Sequence, residues 1–110
     1  MKQYVIDELR PGEYEKIRSF LDDTVGPSAM ESIYFVPVPL ELLSDTQRRH
    51  ADCRPHCFAV ELDETRVSCE LLVRAPHRIR CDCITYATAG QREWLMTYMD
   101  SLLERLSIIT

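Results

Sequence analysis

A chain of 110 residues with 45% hydrophobic and 28% charged side chains has the size and balance of one globular domain, which excludes two independent cores and a disordered polyelectrolyte. Its net charge of −5 is uneven: residues 1–47 carry 4 basic and 9 acidic side chains, residues 48–80 carry 7 and 5, and residues 81–110 carry 2 and 4. That balance argues against a nucleic-acid partner, because too few phosphates could be neutralised, and leaves a small anionic ligand near the mildly basic middle third.

The chain opens on Met1-Lys2-Gln3-Tyr4-Val5-Ile6-Asp7, with acid arriving before any apolar run of signal-peptide length. No apolar stretch approaches the roughly 20 residues that span a bilayer. The expectation is a cytoplasmic protein with no membrane partner. Residues 2–9 read as a short strand around Tyr4, Val5 and Ile6. A helix is predicted over residues 11–25, with Pro11 at its first position and an apolar stripe of Tyr14, Ile17, Leu21 and Val25 that Phe20 widens. Gly26 can take the left-handed conformation that ends it, and Pro27 blocks continuation.

Residues 32–38 read as a second strand, placed at a sheet edge because Pro37 and Pro39 donate no ladder hydrogen bond. Ser44 and Gln47 have the spacing of a capping box, which starts a short polar helix carrying Arg48, Arg49 and His50. Alternation then dominates. Phe58, Val60 and Leu62 form one run, the turn Asp63-Glu64-Thr65 follows, and Val67, Cys69, Leu71 and Val73 form the next. After a break at Ala75-Pro76-His77, the phase of Ile79, Cys81 and Cys83 predicts a third antiparallel strand. The last element is a helix opened by a Thr88–Gln91 capping box, with Leu95, Tyr98, Met99, Leu102 and Leu106 in one stripe and Trp94 and Leu103 on its flanks. The order β-α-β-(α)-β-β-β-α implies an α+β two-layer sandwich, mostly antiparallel, with helices on one face, and residues 1–110 as a single domain.

Three constellations carry candidate chemistry. His50, Cys53, His56 and Cys57 place four zinc-type donors within eight residues, and Cys81 and Cys83 add two more, although no recognised finger spacing is present. Five cysteines cannot all pair within one chain, and without an export signal free thiols are expected. Cys69, Cys81 and Cys83 share the apolar phase of their runs, which predicts small core residues rather than ligands. Arg49, Arg54 and His56 could activate a nucleophilic Cys53 or Cys57. Arg74, His77, Arg78 and Arg80 surround a turn and form a candidate ligand-binding clamp for a carboxylate or phosphate, or else a solvated sheet face. Tyr34 and Phe35 must point to opposite sides of their strand, so one lies outside the main core.

No nucleophile elbow, phosphate loop or dinucleotide fingerprint occurs, and there are only three glycines. These features favour a non-enzymatic interaction or ligand-binding module without a cofactor, whose open sheet could pair with a protein partner or a second copy as a homodimer. The alternatives are a zinc-binding domain built on His50, Cys53, His56 and Cys57, or an enzyme with His50, Cys53, His56 and His77 in its site.

Overall fold

The computed structural model describes residues 2–27 and 32–109. Its strands are β1 (Gln3–Ile6), β2 (Ile33–Pro37), β3 (Cys57–Leu62), β4 (Val67–Glu70), β5 (Leu72–Val73) and β6 (Thr85–Tyr86), and its helices are α1 (Glu13–Thr24), α2 (Asp45–Arg49) and α3 (Ala89–Arg105). Single 3-10 turns at Leu40–Leu42 and Ala51–Cys53 flank α2. The main sheet is antiparallel in the order β1-β4-β3-β2, and β5 and β6 form a two-stranded ribbon. The fold is α+β, with the helices on one face of the sheet, as the patterning predicts.

Local chemistry explains most boundaries. Gly12 caps α1 from a left-handed conformation (φ 94°), and Gly26 follows its end in another (φ 93°). A side chain at either position would meet no neighbour, so the constraint is on the backbone alone. β2 lies at the sheet edge and ends on exposed Pro37, where a missing N–H leaves no gap in the ladder.

Registration sorts the two faces. Tyr4, Cys69, Val60 and Tyr34 stand opposite one another across all four strands. They share the helix-facing side with Ile6, Val67 and Leu62 and with the pair Phe58 and Val36. Ile17 and Leu21 of α1 and Leu95, Met99, Leu102 and Leu103 of α3 complete this core. Trp94 stacks between Phe58 (6.3 Å) and Tyr98 (5.2 Å). The two tyrosines that end the long row each donate to a helix: Tyr34 Oη to Asp22 Oδ1 at 2.7 Å, and Tyr4 Oη to Asp100 Oδ1 at 2.9 Å. Burial together with these carboxylates pushes both phenols up to about 12. Tyr34 is thus the inward member of the Tyr34–Phe35 pair, and Phe35 lies on the opposite face.

Both capping boxes form, and they meet. Ser44 Oγ accepts from the Gln47 N–H and Thr88 Oγ1 from the Gln91 N–H, while each glutamine Oε1 accepts from its cap residue's N–H. The Gln91 Nε2 group then donates to Gln47 Oε1 and to the Leu42 carbonyl, both at 2.9 Å. Gln47 Nε2 reaches the Cys83 carbonyl at 3.5 Å. Neither glutamine has any solvent exposure.

The third strand expected around Ile79, Cys81 and Cys83 does not form. Residues 75–84 make a loop with two tight turns, closed by Arg78 N–H to the Ala75 carbonyl (2.8 Å) and Ile84 N–H to the Cys81 carbonyl (3.0 Å). The partner of β5 comes later in the chain, with Leu72 opposite Tyr86 and Val73 opposite Thr85. Ile79 is 96% exposed, so its phase marks no core face. Of the thiols expected together in the core, Cys69 is there, whereas Cys83 and half-buried Cys81 join a separate small cluster with Cys53, Ala75 and Ile84.

The amide pair is directly testable. Gln91→Leu leaves the Leu42 carbonyl and the Thr88 N–H without their partners, and should cost about 2–3 kcal/mol. Gln47→Leu should cost a similar amount, and the double variant less than the sum, because neither amide is then left behind. Urea-unfolding midpoints of the three proteins check this, and additive losses would show that the two side chains act separately.

Candidate metal centre

Two separate segments build the site. His50 caps the C-terminus of α2, and its Nδ1 lies 2.7 Å from the carbonyl of Thr46, one turn earlier. A carbonyl only accepts, so Nδ1 carries the proton and the Nε2 lone pair is free to bind a cation. The 3-10 turn that follows is closed by Cys53 N–H to the His50 carbonyl at 2.9 Å.

The second segment is the turn closed by Cys81 and Ile84. An extended chain would hold Cys81 and Cys83 about 6.5–7 Å apart at Cα, but the turn draws them in. The ligand atoms of His50, Cys81 and Cys83 all lie within 4.8 Å of one another. Cys53 Sγ stands 3.8 Å from Cys81 Sγ. Two sulfurs bound tetrahedrally to one zinc ion at about 2.3 Å are separated by about 3.8 Å.

The electrostatics of the three thiols differ. The Cys83 backbone N–H and thiol aimed at Cys81 hold the Cys81 thiol below its ordinary range. Burial pushes Cys53 up, and pushes Cys83 up to about 12. Cys81 is therefore the first to ionise, and a cation entering the cluster displaces the protons of its neighbours. The exposed pair Arg78–Asp52, at 3.2 Å, bridges the same two segments beside the cluster.

Of the four donors singled out around α2, His50 joins Cys81 and Cys83 in one group and Cys53 stands against Cys81, whereas His56 and Cys57 are in neither contact. Consecutive residues entering a strand point to opposite sides, so these two cannot converge on one point. Cys57 lies on the face away from the helices, its Sγ 3.7 Å from the Pro55 carbonyl, and burial pushes its thiol up to about 11. His56 is 2% exposed and neither ring nitrogen has a hydrogen-bond partner among the described residues. Burial, then the charges of Arg54 and His50, lower its pKa.

The arginine group is divided. Arg74 is held by Glu70 through two hydrogen bonds of 2.8 and 3.2 Å, and Arg78 by Asp52, while His77 and Arg80 are exposed. Arg74 and Arg78 border a groove of about 490 Å³ between the loop 75–84 and the sheet face away from the helices. Ile33, Phe35 and Ala59 from the sheet and Ile84 from the loop line it. The signal for the second half of the candidate site was the Cys81-Asp82-Cys83 spacing. A strand-like phase concealed its meaning.

Comparison of the chain with protein-family models, with curated proteins and with solved structures finds no match. No helix among the described residues is long and apolar enough to cross a membrane.

His56 yields a pH prediction. Its folded pKa lies below the ordinary histidine value of about 6.5, so on acidification the unfolded chain takes up a proton that the folded chain refuses. Its contribution to stability is fully present above about pH 6.5 and is lost, by at most about 1.4 kcal/mol per pH unit, as pH falls below that value. With a chelator present to remove metal linkage, His56→Phe should flatten this part of a stability-versus-pH curve. An unchanged slope would place the acid-sensitive group elsewhere.

Proposed function

We propose that the chain is a zinc-binding domain in which the Nε2 of His50 and the thiolates of Cys53, Cys81 and Cys83 hold one ion. The observation that carries this reading is the convergence of His50, Cys81 and Cys83, whose ligand atoms lie within 4.8 Å of one another, with Cys53 Sγ 3.8 Å from Cys81 Sγ as the fourth donor. Three soft thiolates and one imidazole select zinc among abundant divalent ions, since calcium and magnesium take oxygen. The hydrogen bond from His50 Nδ1 to Thr46 supplies the outer contact that orients a ligating imidazole.

Four protein donors close a tetrahedral shell and leave no position for a substrate, so the role is structural. The ion would bind the loop 75–84 to the turn after α2. That loop has few other ties to this turn: the solvent-exposed Arg78–Asp52 pair and a few apolar contacts around Ala75. Exposed pairs of this kind contribute at most about 1 kcal/mol. Because the loop forms one wall of the groove, zinc would also shape that groove, whose volume lies in the range of small-ligand sites. This supports a metal-organised interaction or ligand-binding module rather than a catalyst.

Protein purified without chelator should contain one zinc per chain by elemental analysis. Cys83→Ser should weaken zinc affinity by on the order of 100-fold or more through loss of one thiolate, whereas Cys57→Ser should leave it unchanged. Equal loss in both variants would assign the ion to a different donor set, and absence of zinc from the unaltered protein would overturn the reading.

A further inference from the structure

We propose that the cluster exchanges its zinc for a Cys53–Cys81 disulfide when a hydroperoxide reaches it, so that the same two segments stay joined in both states. This rests on the zinc reading above and adds to it a regulated release of the ion.

Three features point this way. The site holds three thiols, so once one of them is oxidised a second can complete a disulfide within the chain. The sulfur atoms of Cys53 and Cys81 already stand 3.8 Å apart, and a disulfide of about 2.05 Å needs only a further approach of the two side chains. Cys81 is half-buried while Cys53 and Cys83 are 3% and 0% exposed, so an oxidant in solution meets Cys81 first.

The chemistry balances. Cys81 Sγ attacks the outer oxygen of the hydroperoxide; an S–O bond forms, the O–O bond breaks, and the remaining alkoxide leaves as the alcohol after taking a proton. The result is a sulfenic acid on Cys81. Cys53 Sγ then attacks that sulfur; the S–S bond forms, the S–O bond breaks, and hydroxide leaves as water after taking a second proton. Two thiolates lose two electrons, and the peroxide bond takes them up. The centre has lost two of its four ligands, and His50 and Cys83 alone do not retain zinc.

The new bond crosses the gap that the ion had spanned, between the turn ending at Cys53 and the loop holding Cys81. The wall of the groove is therefore kept. What changes is the ion, which is set free. Cys57 and Cys69 take no part: Cys69 is 0% and Cys57 2% exposed, and neither is brought to the cluster.

The test starts from zinc-loaded protein whose metal content has been measured. One to several equivalents of tert-butyl hydroperoxide are added, zinc release is followed with a colorimetric chelator, and disulfides are mapped by tandem mass spectrometry. The expected result is one zinc released per chain, in step with a Cys53–Cys81 linkage and a mass loss of two hydrogens. Thermal melts should then rank the reduced, zinc-free protein lowest, with the oxidised, zinc-free protein higher by about 10 °C or more. Zinc retained under peroxide, a Cys81–Cys83 or intermolecular linkage, or an oxidised protein that melts no higher than the reduced zinc-free form would each overturn the exchange while leaving the zinc reading intact. No zinc in the starting protein would overturn both, and the initial metal measurement separates that case from the others.

Discussion

The hydrogen bond between the buried side chains of Gln47 and Gln91 is the constraint on which the arrangement of the site depends. It joins the first turns of α2 and α3 at a point with no access to water. An unpaired amide there would be costly, so the relative placement of the two helices is narrowly defined. The start of α2 fixes where His50 falls at its other end, because that helix has little more than one turn. The start of α3 fixes the end of the β6 connection. The Gln47 Nε2 group in turn donates to the Cys83 carbonyl. One small polar network thus sets the distance between the two halves of the thiol cluster, although it lies outside that cluster.

The molecule divides its stability between two unequal regions. The larger core, between the sheet and α1 and α3, contains Cys69 but no other thiol, and it is large enough for a domain of this size to fold without a metal. The smaller cluster of Cys53, Ala75 and Cys83, with Cys81 and Ile84 at its margin, is too small to hold a loop by burial alone. The donors for a stronger local interaction are present there. This division explains why a cation could be lost or exchanged at one end of the protein without unfolding the other.

Much of the architecture was legible because its signals are local. A serine or threonine three residues before a glutamine carries its own hydrogen-bonding logic, and both such pairs act as expected. Prolines on β2 made it an edge strand for a reason internal to the ladder. The failure at residues 79–83 is equally instructive. Alternation of Ile79, Cys81 and Cys83 is what a strand requires, but it is also what a pair of turns can present, and nothing local says which of two later segments will pair with β5. The choice fell to Thr85 and Tyr86. The candidate site was legible only in its first half for a related reason. His50 and Cys53 declare themselves by proximity in the chain, while their meeting with Cys81 and Cys83 is a product of tertiary folding. His56 and Cys57 are just as close in sequence, yet the alternation of an incoming strand separates them.

The phenol–carboxylate bonds at the two margins of the sheet have a mechanical consequence. Tyr34 holds α1 from the β2 side and Tyr4 holds α3 from the β1 side, through bonds of 2.7 and 2.9 Å. Each is a lateral tether, and together they resist shear of the helical layer in either direction along the strands. The helical layer and the sheet are thereby held in register at both edges, independently of the packing between them.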